Sequence, residues 1–256
     1  MKIENDLGRD DIRRLVLRLA IPSMLAQFIN VLYSVVDRIY IGNIPVIGET
    51  ALAGVGVSGP IVTLISAFAY LVGLGGSPLM SIRMGEGQDE KAKKILANSF
   101  WMIVGLSAVL TLVLFVFKRE ILMRFGASEA ILPYAESYFT IYLLGTVFAL
   151  LSIGMNQFII CQGFARIGMI SVALGAVTNI VLDPVFIFVF DMGVAGAAFA
   201  TVLSQFASAA FVLRFLRGNR VLLRLEFECP QVKTVCKIAL MGLSPFLIIA
   251  FDNVLI

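Results

Sequence analysis

The sequence contains no histidine and few charged residues, and each shortage excludes a class of function. Without histidine the chain lacks the most common metal ligand and the usual proton carrier near neutral pH, so any proton chemistry falls to carboxylates. Charged residues make up 14% of the 256 residues and apolar ones 59%, and the mean hydropathy is +0.96. This composition is too apolar for a soluble domain. The net charge of +3 is modest and implies no nucleic-acid partner.

Cysteine is also scarce, and its spacing matches no metal site. Cys161 lies in an apolar segment, whereas Cys229 and Cys236 lie in a loop or at a helix start. We interpret them as free thiols, or as small fillers where they are buried. The sequence suggests no organic cofactor.

Apolar segments of about 20 residues recur along the chain, each long enough to cross the ~30 Å hydrocarbon core of a bilayer. The sequence therefore predicts an all-α integral membrane protein: a six-helix transporter lobe plus the start of a seventh helix. The six predicted spans are 15–42, a span within 50–82, 95–117, 134–160, the segment from Arg166 to Phe190, and 192–216. We expect residues 1–216 to form the N-terminal lobe, 217–234 a cytoplasmic connector, and 235–256 the start of a truncated second lobe.

Glycine is concentrated in the second predicted span, where it is expected to let neighbouring helices approach closely. The residues concerned are Gly54, Gly56, Gly59, Gly73, Gly75 and Gly76.

Positive charge is unevenly distributed between the predicted loops. Of the 20 Lys and Arg residues, four fall on the outer side if the N-terminus is cytoplasmic, and the other sixteen fall on the inner side. The positive-inside rule therefore predicts a multi-pass protein with a cytoplasmic N-terminus. The four outer residues are Arg38, Lys118, Arg119 and Arg124.

The fifth predicted span carries one acid and one amide in a long apolar run. Asn179 and Asp183 are four residues apart, so they share one face of a helix. Pro184 follows and favours a kink, because it leaves the carbonyl of Ile180 without a donor. An ionisable group at membrane depth is costly, by ~2.5–3.5 kcal/mol on insertion scales. The run favours an ion or proton site, although an Asp half solvated at a helix end remains the alternative.

A second polar stripe occurs in the first span. Asn30, Tyr33 and Asp37 follow helical spacing and share one face. Polar side chains on a spanning helix normally point into the bundle or a wet cavity. The alternative is that Asp37 and Arg38 mark the membrane edge.

The seventh segment resembles a restart of the first. Residues 20–25 can be aligned loosely with residues 242–247, and Asn30 then falls on Asp252. Repeated six-span halves are known in transporters. A chain of two such halves would run to about twice the offset of 222 residues between the aligned stretches, so we expect a second lobe to be missing.

Five stretches together resemble the multidrug and toxic compound extrusion (MATE) family, over essentially the whole chain and in the family's order. The resemblance is greatest to the bacterial branch that carries Asn-x-x-x-Asp-Pro in its fifth helix. The stretches are 36–42, 83–92, Gln162-Gly163, 179–184 and 193–201.

The resemblance implies a cation-coupled antiporter in the bacterial inner membrane. It would export small amphipathic, often cationic, drugs or toxic compounds against inward Na⁺ or H⁺, and would not be an enzyme. The implied cation or proton site consists of Asp37, Asn179, Asp183 and Thr201, which would also bind the metal if Na⁺ is the coupling ion. Further implied cavity residues are Asn30, Tyr33 and Asn156.

Physical chemistry supports such a site from the residues alone. Two carboxylates facing one low-dielectric cavity cannot both be ionised at low cost, so the pair should hold either a proton or Na⁺. Two other functions stay open: a lipid-linked precursor flippase of the same superfamily, which would need a more basic cavity, and an intramembrane aspartyl enzyme. A channel is least favoured, because the chain lacks a filter-like repeat.

Overall fold

The computed structural model describes residues 12–252, and side chains from Val16 to Phe251. The polar stretch before residue 12 and the side chain of Asp252 lie outside what it describes. Within this range the chain is helical and contains no strand. The helices are α1 (Ile12–Gly42), α2 (Gly48–Gly85), α3 (Asp89–Arg124), α4 (Leu132–Leu144), α5 (Thr146–Ile160), α6 (Ala165–Pro184), a π-helical turn (Val185–Val189), α7 (Gly193–Arg217) and α8 (Val232–Asp252).

The predicted fold class is confirmed. Six helices in the described part of the chain are long and apolar enough to span a membrane, or seven if α4 and α5 together form one bent span. The predicted fourth span is therefore broken, with an angle of 58° between α4 and α5. Gly145 lies at the break, where a Cβ would come within 2.5 Å of Val202 on α7. Because Gly145 has no side chain, the break packs closely against α7.

The proline kink in the fifth span takes a defined form. α6 ends at Pro184, and the chain continues as the π-helical turn. Proline cannot donate the helical hydrogen bond, and wider turns at such points are common near functional sites. Asp183 thus lies in the last α-helical turn before the π-helical turn begins at Val185.

Glycine does allow close helix packing at four of the six expected positions. A Cβ at Gly54 would lie 3.0 Å from the Ala135 nitrogen on α4, and one at Gly73 would lie 2.9 Å from the Gly154 carbonyl oxygen on α5. Gly75 contacts the backbone of α8, and Gly76 packs against Phe158. The expectation is wrong for Gly56 and Gly59, where a Cβ would meet nothing within 4 Å.

α8 packs along α2, with backbone-to-backbone contact between Gly75 and Gly242. The rings of Phe68 and Phe246 lie 4.8 Å apart in the same interface.

The segment 218–231 is an irregular strap that packs against the helices. Val221, Leu223 and Leu225 alternate into the core, at 8%, 3% and 5% exposed. The buried Gln162 side chain accepts a hydrogen bond of 2.8 Å from the Leu223 N–H, and Asn98 accepts one of 2.5 Å from the Gln231 N–H. The strap therefore holds the start of α8 against the other helices.

Candidate cation-binding site

Asp37 and Asp183 lie on different helices and face each other. Asp37 is on α1, which packs mainly against α6, and α6 carries Asp183. Their carboxyl groups are close enough to share a hydrogen bond. Asp37 is 9% exposed and Asp183 is fully buried. The structure therefore brings together two acids that the sequence separates widely.

Asn179 completes the buried part of this cluster. Its side-chain N–H donates a hydrogen bond of 3.2 Å to Asp183 Oδ1, one helical turn further along α6. Three buried oxygens of the cluster have no hydrogen-bond donor: Asp37 Oδ1, Asn179 Oδ1 and Asp183 Oδ2. Buried polar atoms without a partner are rare in proteins and call for an explanation such as a bound ion or proton.

Thr201 lies on α7, close to Tyr138. Its hydroxyl donates to the Ala197 carbonyl at 2.9 Å, which leaves its oxygen able to accept. Tyr138 lies close to Thr201 and is near enough to Asp37 to interact with its charge. The structure shows no direct contact between Thr201 and either acid.

A cavity of about 910 Å³ adjoins the acid pair. Asp37 and Thr201 line it, whereas Asn179 and Asp183 lie behind the wall and are fully buried. Arg38 also lines it, and its charge acts on Asp37. Asp37 therefore touches both the buried acid and the open cavity.

The three other expected residues, Asn30, Tyr33 and Asn156, all line this cavity. Asn30 is exposed to it, and Tyr33 is close enough to both acids to interact with their charges. Asn156 has a packing role as well, because it accepts a hydrogen bond from Ser171 at 3.2 Å and so joins α5 to α6. Ser208 on α7 donates to the Ser171 carbonyl at 2.7 Å and extends the connection.

Sequence reasoning missed the tyrosines that line the cavity. Tyr70, Tyr138 and Tyr142 join Tyr33 there, and Tyr142 lies close to Gln205 and Ser66. The helical spacing of Tyr138 and Tyr142, four residues apart, placed them on one face of the fourth span. Nothing in that apolar segment indicated that the face was a cavity wall.

Among the residues that the structure describes, no three His, Cys, Asp or Glu side chains form a metal-binding group. The acid pair supplies two carboxylates, so the remaining oxygen ligands for a cation would have to come from amide and hydroxyl groups. Asn179 and Thr201 provide those types of oxygen. Carboxylate and carbonyl oxygens suit hard cations.

A helical membrane lobe with a buried acid pair beside a wide cavity is the architecture of a secondary transporter half. A family model described as MatE matches residues 22–185, which is more than half of the chain. The chain belongs to the MatE family of multidrug efflux transporters, as the resemblance in the sequence predicted.

Individual relatives agree with this assignment. Multidrug export protein MepA of Staphylococcus aureus (strain MRSA252) is 25% identical over 234 residues, which are 91% of this chain and 51% of MepA. A solved outward-facing conformation of a multidrug resistance MATE family transporter of the MOP superfamily aligns with a TM-score of 0.86 and 28% identity, over 96% of this chain and 55% of that one.

A MOP superfamily transporter from Pyrococcus furiosus Vc1 aligns with a TM-score of 0.87 and 27% identity, over 96% of this chain and 54% of that one. The chain spans about half the length of the relatives that it matches.

Proposed function

We propose that this chain binds a proton or Na⁺ between Asp37, Asp183, Asn179 and Thr201 and exchanges it for an organic substrate in the adjoining cavity. The whole protein would then act as a cation-coupled exporter of small amphipathic, often cationic, compounds, and not as an enzyme. The observation that carries this proposal is the set of three buried, donor-free oxygens at the contact between α1 and α6.

Charge balance explains why such a group needs an occupant. Two ionised carboxylates in contact repel each other, and the low-dielectric interior does not screen them. A proton on either acid would supply the missing donor between them. A sodium ion would instead use the free oxygens as ligands, and the Thr201 oxygen could add one more.

Asp37 is the residue through which the two ligands would compete. It contacts Asp183 on one side and the cavity on the other. A cationic substrate in the cavity would be attracted to the same carboxylate that holds the coupling ion. Binding of one would therefore weaken binding of the other, which is the coupling that an antiporter requires.

The cavity lining favours an amphipathic substrate. Its tyrosines present apolar ring faces with hydroxyl edges, and cations bind to such faces. Two charged side chains, Asp37 and Arg38, are present among the lining residues.

This composition also bears on the flippase alternative. The Pyrococcus furiosus transporter is described as having a binding pocket of reverse polarity that suggests a different function. A cavity for an anionic lipid-linked precursor would be rich in basic groups, whereas Arg38 is the one basic residue among those lining this cavity. No separate observation supports an intramembrane aspartyl enzyme.

The direct test is ion binding by the purified protein in lipid nanodiscs. Asp37→Asn and Asp183→Asn should each abolish competition between the cation and an organic substrate, measured as proton release and as displacement of ²²Na⁺. Asp191→Asn is the matched control, because Asp191 is exposed in the turn before α7 and asparagine tolerates its positive φ of 51°. Unchanged competition in both acid variants would refute the proposal.

Thr201→Val separates the two candidate ions. It should weaken Na⁺ displacement and leave proton release in place, because only Na⁺ needs the additional oxygen. Thr201→Ser keeps that oxygen and should restore Na⁺ binding.

A further inference from the structure

Gly56 and Gly59 on α2 face the cavity without any neighbour that their missing side chains would meet. Both residues belong to the cavity lining, and an ideal Cβ at either would have nothing within 4 Å. Neither has a positive φ. The backbone and the packing would therefore accept a larger residue at both positions.

The other glycines of α2 differ in this respect. A Cβ at Gly54 would press against α4, and one at Gly73 would press against α5. Glycine inside a helix is destabilising relative to alanine, because it loses the most backbone entropy on folding. At Gly56 and Gly59 no close helix contact offsets the entropy cost of a helical glycine. What these two glycines do leave is open space in the cavity beside them.

The cavity beside them is built to receive a ligand. Asp37 lines it, is nine-tenths buried, and has an oxygen with no hydrogen-bond partner. Gly56 and Gly59 line the same cavity as Asp37, so a ligand of sufficient size would reach both Asp37 and the space at the two glycines.

We propose that Gly56 and Gly59 set the upper size limit of the organic cation that the cavity accepts. The charged centre of the ligand would pair with Asp37, and its apolar groups would occupy the space over the two glycines. The inference rests on the proposed function, because it takes the ligand to be an organic cation held in this cavity.

A series of tetraalkylammonium ions tests this inference, since its members share one charge and differ in size. Binding of tetramethyl- to tetrapentylammonium would be measured on the purified protein in lipid nanodiscs. In Gly56→Leu and Gly59→Leu, affinity for the largest ions should fall by ~10-fold or more, which is the size of effect that one extra methylene in an apolar pocket has on binding. Affinity for the smallest ion should change by less than ~2-fold. Gly56→Ala should give a smaller shift in the same direction.

Gly105→Leu is the matched control. Gly105 is also an unpacked glycine within a membrane-spanning helix, but it is exposed on α3 and does not line the cavity. Retained binding of the smallest ion in the leucine variants shows that they are folded.

An unchanged size profile in both leucine variants would overturn the inference, and so would an equal loss of affinity for every ion. Either result leaves the proposed function standing if wild-type binding still requires Asp37. Failure of the wild-type protein to bind any member of the series would overturn the proposed function and this inference together.

Discussion

Asn179 donates its amide hydrogen bond to Asp183 one turn along α6, and both side chains are fully buried. The amide oxygen of Asn179 is buried and has no donor of its own. One residue thus steadies the acid and offers a further oxygen. An aspartate in this position would add a third negative charge, and a leucine would remove both contributions.

Asn179→Leu should therefore weaken Na⁺ binding strongly. Loss of a residue that orients a ligand typically costs 10–100-fold in metal affinity, so we expect a decrease of about that size in ²²Na⁺ affinity. Thr178→Val is the control, because Thr178 is the adjacent residue, is half-buried, and hydrogen-bonds to the Leu174 carbonyl in its own helix. Equal affinities for the two variants would remove Asn179 from the site.

Gln162 should be essential for holding the strap at residues 218–231. Gln162→Ala leaves the Leu223 N–H buried without an acceptor, at a cost of about 1–3 kcal/mol. We expect a lower melting temperature and faster cleavage by trypsin at Arg220 and Arg224. Gln231→Ala should have neither effect, since Gln231 joins the strap contact through its backbone N–H. Protection of both arginines in Gln162→Ala would contradict this role.

Val46 lies in a strained turn between α1 and α2. It is fully exposed at a φ of 69°, and the Ile47 N–H donates to the Pro45 carbonyl at 2.8 Å across it. A β-branched residue rarely adopts this conformation, whereas glycine adopts it freely. Val46→Gly should stabilise the protein by about 1 kcal/mol, measured as a rise in melting temperature. Val35→Gly, at an exposed helical position, should lower that temperature.

The orientation of the chain can be read by cysteine labelling in cells. The asymmetry in basic residues predicts that the α2–α3 turn lies in the cytoplasm and that the α3–α4 connection lies outside. In a variant without its three native cysteines, a cysteine at Arg119 should react with an impermeant reagent, and one at Lys91 should not. Both positions are exposed, so access alone does not separate them. Labelling at Lys91 in intact cells would reverse the assigned orientation.

The sequence predicted the helical spans because each one needs a long apolar run, and that requirement is local. It also drew attention to Asp37 and Asp183, since an acid within such a run is costly anywhere. Their contact could not be derived from local pattern, because it depends on how α1 packs against α6. The family resemblance supplied the grouping; in the structure Asp37, Asp183 and Asn179 lie together, and Thr201 makes no direct contact with either acid.

Three features were not visible in the sequence for identifiable reasons. Tyr138 lies in an apolar segment, where a tyrosine ordinarily belongs to the core. The break at Gly145 lies inside a run that is long enough to be a single straight helix. The strap looked like a polar connector because Arg220 and Arg224 lie among its buried positions, and its contacts with Asn98 and Gln162 are distant in sequence.

The contact between α2 and α8 restricts which substitutions the protein tolerates at Gly75 and Gly242. A Cβ on Gly242 would collide with the Leu71 carbonyl, and one on Gly75 would collide with the backbone of Ile238 and Gly242. The opposing atoms in both cases belong to the main chain, which no codon change can make smaller. A substitution at either glycine therefore has no compensating partner elsewhere in the interface, and a suppressor screen begun from such a mutant should return true revertants to glycine.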